Sequence, residues 1–462
     1  MEKRYNVVFL MTDHQRADTI GMIQCGREIT PNLNRLAESS TNFTRAYTTC
    51  PLCVPARTAL ATGIYPTCNQ VVYNDWKGNT ATDNETIHTL LKREGYRVGY
   101  IGVDHIKVKP GIRERNLDCF INQEDYKQWI EEQGITSERT EEDKSLVLEE
   151  VDEEYINRQY SNHHISKWPH EFERFKDSYF TQNGIKFLED CKYKGDAFAL
   201  FLYLWAPHPP LNVPEPYASM YNPEQINLPS NINLPAQDEP TLRRKGVPAQ
   251  LADNTSIEEW KKVWAAHLGL MSMVDDLIGK VLDKLTEIGE FDNTIIIFTG
   301  DHGESLGQHK MYQKMEMYEE MINIPLIMKV PGGKIKTMKT PVSHLDVVPT
   351  LCELTKIKEQ NNKWDGQSLV RNIFTGEEDE DRTVYSAYSG NPSYGTIRRA
   401  VITKSFKYVY DSAYEHELYD LEKDPLETKN LAKDKRYKEL VEKFYQDCKG
   451  FNEERDDCFK WK

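Results

Sequence analysis

The chain predicts an α/β fold, with a mostly parallel central sheet and helices on both faces, from three observations. Five short, nearly continuous apolar runs recur along it: NVVFLMT (6–12), RVGYIGV (97–103), AFALFLYLW (197–205), NTIIIFTG (293–300) and IPLIMKV (324–330). Segments with helical apolar spacing separate them. After the acidic linker IFTGEEDEDR (373–382) the pattern changes to hairpin-like runs. Strands that are apolar on both faces and joined through helices belong to a parallel sheet covered on both sides.

Taken in order, PNLNRLAES (31–39) predicts a helix with proline in its first turn, and TIHTLLKREG (86–95) one that ends at glycine. The run WKKVWAAHLGLMSMVDDLIGKVLDKLTEIG (260–289) predicts one long helix, and LDVVPTLCELT (345–355) another. Residues 123–175 are charged and poor in apolar side chains, and 222–248 are rich in Asn, Pro and Gln; both read as solvated surface excursions. Beyond the linker, TVYSAY (383–388) and AVITKSFKYVY (400–410) predict hairpin strands, followed by a polar helix near 431–449. The organisation is therefore a domain over 1–375, carrying the charged insertion at about 123–175, and a small C-terminal α+β domain over 376–462.

A formal charge of −15 with no basic stripe excludes nucleic acid as a partner. No apolar run is long enough to span a bilayer, so no membrane partner is expected. No signal-peptide pattern precedes the first strand, so the chain as written reads as cytoplasmic, or as secreted or periplasmic if a leader has been removed. The nine cysteines are odd in number and scattered without framework spacing, which reads as free thiols.

The stretch CPLCVPARTALATG (50–63) lies just ahead of an Ala/Leu-rich helical pattern and admits three chemistries. As a C-x-x-C redox pair, Cys50 and Cys53 would belong to a thioredoxin-sized domain, far smaller than this chain. As half of a zinc site they lack a second ligand pair. The third reading takes Cys53, Pro55, Arg57, Leu60, Thr62 and Gly63 together. This pattern resembles the signature of the type I sulfatases of the alkaline-phosphatase-like superfamily, whose cysteine is oxidised to formylglycine by a separate formylglycine-generating enzyme. Ala56 replaces the family's common serine. A hydrated aldehyde carries two hydroxyls on one carbon, so one can attack sulfur and the other can later expel sulfate. The start of a helix beneath residue 53 adds amide donors and the positive end of a dipole.

That resemblance extends to the rest of the chain. It implies an alkaline-phosphatase/sulfatase-like core and one divalent metal, with Asp13 and His14 (from TDH, 12–14), Asp301 and His302 (from GDHGE, 300–304) and residue 53 as ligands. Calcium is the first expectation. Manganese follows, because two of the four other side-chain ligands are imidazoles, which favour transition ions. His208 in APHPP (206–210) matches the acid that protonates the departing alcohol, and Lys314 the sulfate-binding lysine. His105 matches the histidine that abstracts the diol proton, and Arg57 orients residue 53. The implied substrate is an anionic sulfate ester, a small molecule or a saccharide. Val103 stands where the family pattern has lysine, which moves the chain towards the related phosphonate monoester hydrolases.

Rival readings remain open on the sequence. GESLG (303–307) matches the G-x-S-x-G nucleophile elbow, with Asp346 and His416 following in triad order, but TGDH intervenes between strand and serine. A binding protein on a degenerate hydrolase fold is a non-enzymatic alternative. Asn74, in YNDWK (73–77), is within reach of the site as a substrate-binding residue, and Arg398 and Arg399 are candidates for an anionic sugar or for surface ion pairs. His88, His267 and His344 read as structural, and His163, His164 and His170 as surface.

Overall fold

The computed structural model describes residues 4–461 except 76–80, 82–83, 137–139, 153, 359–363, 414, 456, 458 and 460. Its centre is an eight-stranded sheet built from β1 (Asn6–Thr12), β2 (Thr41–Phe43), β3 (Arg97–Gly102), β4 (Cys119–Ile121), β5 (Phe198–Tyr203), β6 (Thr294–Gly300), β7 (Leu326–Lys329) and β8 (Lys336–Met338). The strand order is β8-β2-β7-β6-β1-β5-β3-β4. β1 lies parallel between β5 and β6, and β3 continues the parallel set beyond β5.

The apolar runs are continuous because both faces are covered. Val8 and Leu10 of β1 join one core cluster, while Val7, Phe9 and Met11 join another on the opposite face. The same alternation divides Leu200 and Leu202 from Phe201 and Tyr203 in β5. Each large apolar side chain so buried contributes about 1.5–3 kcal/mol. The long helix Ile257–Glu287 starts at a Ser256–Glu259 capping box, and its Asp275 accepts from the backbone amides of Asn32 and Leu33 in the helix Pro31–Glu38.

Three expectations are corrected. β7 runs antiparallel to β6, because the chain leaves β6 through a loop at the same end of the sheet and re-enters from there without a crossover helix. The run 400–410 is two strands, Arg398–Ile402 and Phe406–Asp411, which pair with Val384–Tyr388 and His416–Asp420 in a four-stranded antiparallel sheet packed by the helix Lys438–Glu453. Nor are the two charged or polar stretches simply solvated excursions. Residues 123–175 form a helix, Gln123–Glu132, and an antiparallel hairpin, Lys144–Val151 with Glu154–Ser161. The hairpin exposes Leu146 and Tyr155 but buries Glu149. In the second stretch Arg243 is buried, paired with Glu316 at 2.7 Å and with Glu417 of the C-terminal sheet.

The structural reading of three histidines holds. His88 bonds the Tyr203 hydroxyl at 2.8 Å, His344 bonds the Gly300 carbonyl at 2.9 Å, and His267 is buried in the long helix. All eight described cysteines are free; Cys458 lies outside the described residues, as do Trp76 and Lys77. Among the described residues no helix is long and apolar enough to cross a membrane.

Candidate active site

Parallel register places the two Asp-His turns side by side. Thr12 of β1 is opposite Gly300 of β6, so Asp13 and Asp301 are the next residues out at the carboxyl ends of adjacent strands, where open α/β sheets gather ligands. The amide of Asp301 donates to the Thr12 carbonyl at 3.1 Å. His14 adopts φ 65°, a left-handed conformation uncommon for a residue with a Cβ and characteristic of functional turns. Position 303 is glycine for a visible reason: a Cβ there would meet the Glu320 carbonyl oxygen at 2.0 Å.

The signature forms the helix Cys53–Thr62, which ends at Gly63 in the left-handed conformation, φ 72°. Cys53 is its first residue, and its Sγ occupies the position the oxygens of an oxidised residue 53 would take. Around that atom lie Lys314 Nζ at 2.9 Å, His302 Nε2 at 3.3 Å and Asp13 Oδ1 at 3.5 Å. Arg57, one helical turn on, bonds Asp13 Oδ2 through Nη2 and Asp301 Oδ2 through Nε, each at 2.8 Å. Its guanidinium thus holds one oxygen of each carboxylate.

Donor atoms of Asp13, Cys53, Asp301 and His302 lie within 4.8 Å of one another, and all four residues are buried. Burial, then the charge of Asp301, pushes Asp13 up to about 7. Burial also works against ionisation of Asp301, but the cations Arg57 and Lys314 hold it below the usual carboxylate range at neutral pH, and His302 adds to them only where it is itself protonated. Two buried acids with converging donor atoms and a neutral imidazole, His302, pushed down to about 3 mainly by burial, fit one divalent cation. His14 falls in a second grouping, with Asp13, Cys53 and His208, whose donor atoms also lie within 4.8 Å of one another. Its Nε2 accepts from Lys314 Nζ at 2.6 Å and its Nδ1 faces Glu304 Oε2 at 2.7 Å.

Lys314 is buried, which alone would lower its pKa, yet the hydrogen bond to Cys53 and the carboxylates of Asp13 and Asp301 raise it and keep it a cation. The Cys53 thiol is driven well above its ordinary range by burial and then by Asp13, so the unmodified side chain stays protonated and a poor nucleophile. His208 packs edge-on against His14 at 4.4 Å between ring centroids and, tilted, against Trp205 at 4.2 Å, with Nδ1 on its neighbour's carbonyl, that of Pro209. His105 is pushed down to about 3 by burial and then Arg57, and its Nδ1 has no hydrogen-bond partner among the described residues. Asn74 sits at the start of the signature helix, where its Oδ1 accepts from the Val54 amide at 3.1 Å.

Sequence reasoning missed three supports. Glu304 holds His14 in place, and Arg16 in turn donates to the Glu304 carbonyl at 2.7 Å; the only signal was a glutamate two residues past the second Asp-His turn. Asp177, on the helix Lys176–Lys194, accepts from the amides of Trp205 at 2.5 Å and Ala206 at 3.2 Å, fixing the segment that presents His208. The 144–161 hairpin leans on the loop that carries Lys314: Gln313 Nε2 donates to the Ser161 carbonyl.

The serine-hydrolase reading fails on geometry. Ser305 donates to the Gln313 carbonyl at 3.0 Å, Asp346 is paired with Arg382 at 2.6 Å, and His416 is bonded to Tyr408, so no triad forms. Ser305→Ala is expected to leave sulfate-ester turnover within about threefold of wild type, since it removes one neutral hydrogen bond; steady-state kinetics check this. Arg398 and Arg399 are not surface residues. Both are buried, paired with Glu316 at 3.0 Å and Asp457 at 2.6 Å.

Carboxylates, an imidazole and a lysine converging on one nucleophile position at the strand ends define a hydrolase of anionic esters on an alkaline-phosphatase-like fold. The family profile described as Sulfatase matches residues 5–357, and the chain belongs to that family. Its class of chemistry is sulfuric ester hydrolysis. A second profile, N-sulphoglucosamine sulphohydrolase, C-terminal, matches residues 307–454. An arylsulfatase of Clostridium perfringens is 27% identical over 95% of this chain and 92% of its own length. The phosphonate monoester hydrolase of Agrobacterium radiobacter superposes with a TM-score of 0.77 at 20% identity, covering 98% of this chain and 96% of that one. The structure of BT4656 in complex with D-glucosamine-2-N,6-O-disulfate gives 0.72 at 21%, covering 99% of each.

Proposed function

We propose that the protein hydrolyses a sulfate monoester to alcohol and sulfate, with residue 53 acting as nucleophile after a formylglycine-generating enzyme has oxidised it, and with one calcium ion as cofactor. The observation that carries this reading is the position of Cys53 Sγ, where the lysine, the imidazole and the carboxylate converge at the start of a helix. Formylglycine, when present, supplies a geminal diol, one hydroxyl for attack and one for later release of sulfate. The cation would be held by Asp13, Asp301, His302 and residue 53, and would supply Lewis-acid polarisation of the sulfate oxygens.

The chain's own side chains do the rest. Arg57 fixes one oxygen of each carboxylate; the other oxygen of Asp13 faces residue 53, and that of Asp301 accepts from the amides of His14 and His302. Lys314 brings a buried positive charge to the sulfate, and Asn74 is assigned to the sulfate's other side. His208 gives a proton from Nε2 to the ester oxygen as the S–O bond breaks, since its Nδ1 is committed to Pro209. His105, kept neutral at pH 7, accepts the diol proton.

A second reading, hydrolysis of phosphonate or phosphate esters, rests on Val103. That residue is fully buried in the core and brings no cation to the site. Assay of metal-loaded, formylglycine-bearing protein against a sulfate monoester panel, a phosphate diester and a phosphonate monoester decides between them. Sulfate esters are expected to give the highest kcat/KM; a phosphonate preference would select the second reading.

A further inference from the structure

Lys314 reaches residue 53 from a stretch, 311–318, that is neither helix nor strand, so no ladder of backbone hydrogen bonds fixes the direction of its side chain. Gln313 and Met315, on either side of it, adopt φ 70° and 83°, left-handed conformations that residues with a Cβ hold only where their surroundings impose them. Before the lysine, the amide and the hydroxyl of Ser305 both donate to the Gln313 carbonyl, at 3.1 and 3.0 Å, and Gln313 Nε2 donates to the Ser161 carbonyl. After it, the hold comes from the C-terminal sheet.

Arg398, the first residue of the strand Arg398–Ile402, donates from Nη1 to the Met315 carbonyl at 3.3 Å and pairs through Nη2 with Glu316 Oε1 at 3.0 Å. The other oxygen of Glu316 lies 2.7 Å from Arg243, which also pairs with Glu417 of the same sheet. All four side chains are buried, two cations against two anions. A little further on, Lys407 of the next strand meets Glu319 at 3.1 Å, and Glu427 accepts from the Glu319 amide at 2.6 Å. Burying so many charges carries a desolvation cost that apolar side chains of similar volume would avoid, so stability alone gives no reason for the cluster. Its place beside Lys314 does.

Resting on the sulfatase reading above, in which Lys314 meets the sulfate, we propose that Arg398 is a positioning residue for Lys314. By holding the Met315 carbonyl and the Glu316 carboxylate at once, it fixes the backbone one and two residues past the lysine, and with it the reach of Nζ. That atom lies 2.9 Å from Cys53 Sγ and 2.6 Å from His14 Nε2, so a displacement of about 1 Å takes it out of hydrogen-bond range of both. Misplacement on that scale lowers rates by roughly a hundredfold. The C-terminal domain thus completes the active site through the lysine.

Two variants separate position from stability. Arg398→Lys keeps the buried positive charge for Glu316 but loses the planar, two-pronged donor set that also reaches Met315. Arg398→Met combined with Glu316→Gln removes the pair together and leaves no lone charge in the cluster. Both should unfold in one cooperative transition, while kcat/KM on the sulfate ester turned over fastest falls about tenfold in the first and about a hundredfold in the second. In a Lys314→Met background each should change kcat/KM by less than about twofold, because the group it positions is gone. A purely structural role would lower both backgrounds by the same factor, and that result overturns the inference, as does wild-type kcat/KM in both variants. Crystal structures of the variants give a reading independent of turnover: Lys314 Nζ should leave hydrogen-bond range of residue 53, and its retention there in both overturns the inference. If the wild type turns over no sulfate ester, the hydrolytic reading falls, and the position of Nζ still decides the role of Arg398.

Discussion

Cys53→Ala is expected to lower sulfate-ester turnover by roughly 10⁴–10⁶-fold, the scale seen when a covalent nucleophile is removed from an otherwise intact site. The side chain is small and only 3% exposed, and the helix beneath it is held by Gly63 and by the Asn74 bond to the Val54 amide, so the substitution should leave the fold in place. What it removes is the one atom that meets Lys314, His302 and Asp13 together. Cys53→Ser sharpens the test. A serine hydroxyl can attack sulfur but has no second hydroxyl on the same carbon with which to expel sulfate. The expected result is one sulfo group retained per protein with no steady-state turnover, read by intact mass. Peptide mass spectrometry of active wild type should find the aldehyde at residue 53, and full activity in Cys53→Ala would end the mechanism.

Most of this site was legible in the sequence because its parts lie at strand ends. NVVFLMT and NTIIIFTG are buried on both faces, so they read as central strands, and the Asp-His pair following each had to emerge at one edge of the sheet. Supports that act across long sequence separations were not legible. Asp177 fixes the His208 segment from a helix some thirty residues earlier, and nothing in KDSYF marks it as more than a first-turn acid. Glu304 becomes a partner of His14 only because His14 turns left-handed. The 144–161 hairpin was read as solvent-facing because its charges dominate its composition. Its inward positions bury Val147 and Glu149 while its outer ones stay wet. Direction was misread for β7, since an apolar run carries no sign of whether the chain enters it from above or below.

The second large effect expected is metal dependence. Stripping the protein with a chelator should lower turnover by roughly 10²–10⁴-fold, the equivalent of several kcal/mol of lost charge stabilisation. The electrostatics argue for a cation that belongs to the site. Asp13 and Asp301 are both fully buried, Arg57 neutralises only one oxygen of each, and burial together with Asp301 pushes Asp13 up to about 7. Without a cation the pair shares its site with a proton; with one, both carboxylates ionise. Ion identity follows from which imidazoles belong to the cluster. The sequence offered two: His302 groups with Asp13, Asp301 and residue 53, while His14, bonded to Lys314 and Glu304, groups with Asp13, residue 53 and His208, and we take the first set, with its two carboxylates, as the one that would hold the ion. That oxygen-rich set favours the hard calcium ion over manganese. Elemental analysis of purified protein should therefore find about one calcium per chain, and calcium should restore stripped protein more fully than manganese does. Thermal unfolding gives an independent reading: at a hundredfold excess over Kd, calcium should stabilise the fold by about 2.7 kcal/mol, and Asp301→Asn should erase that increment. Undiminished turnover after complete metal removal would refute the site, and selective rescue by manganese would mean that His14 turns from Lys314 to the ion.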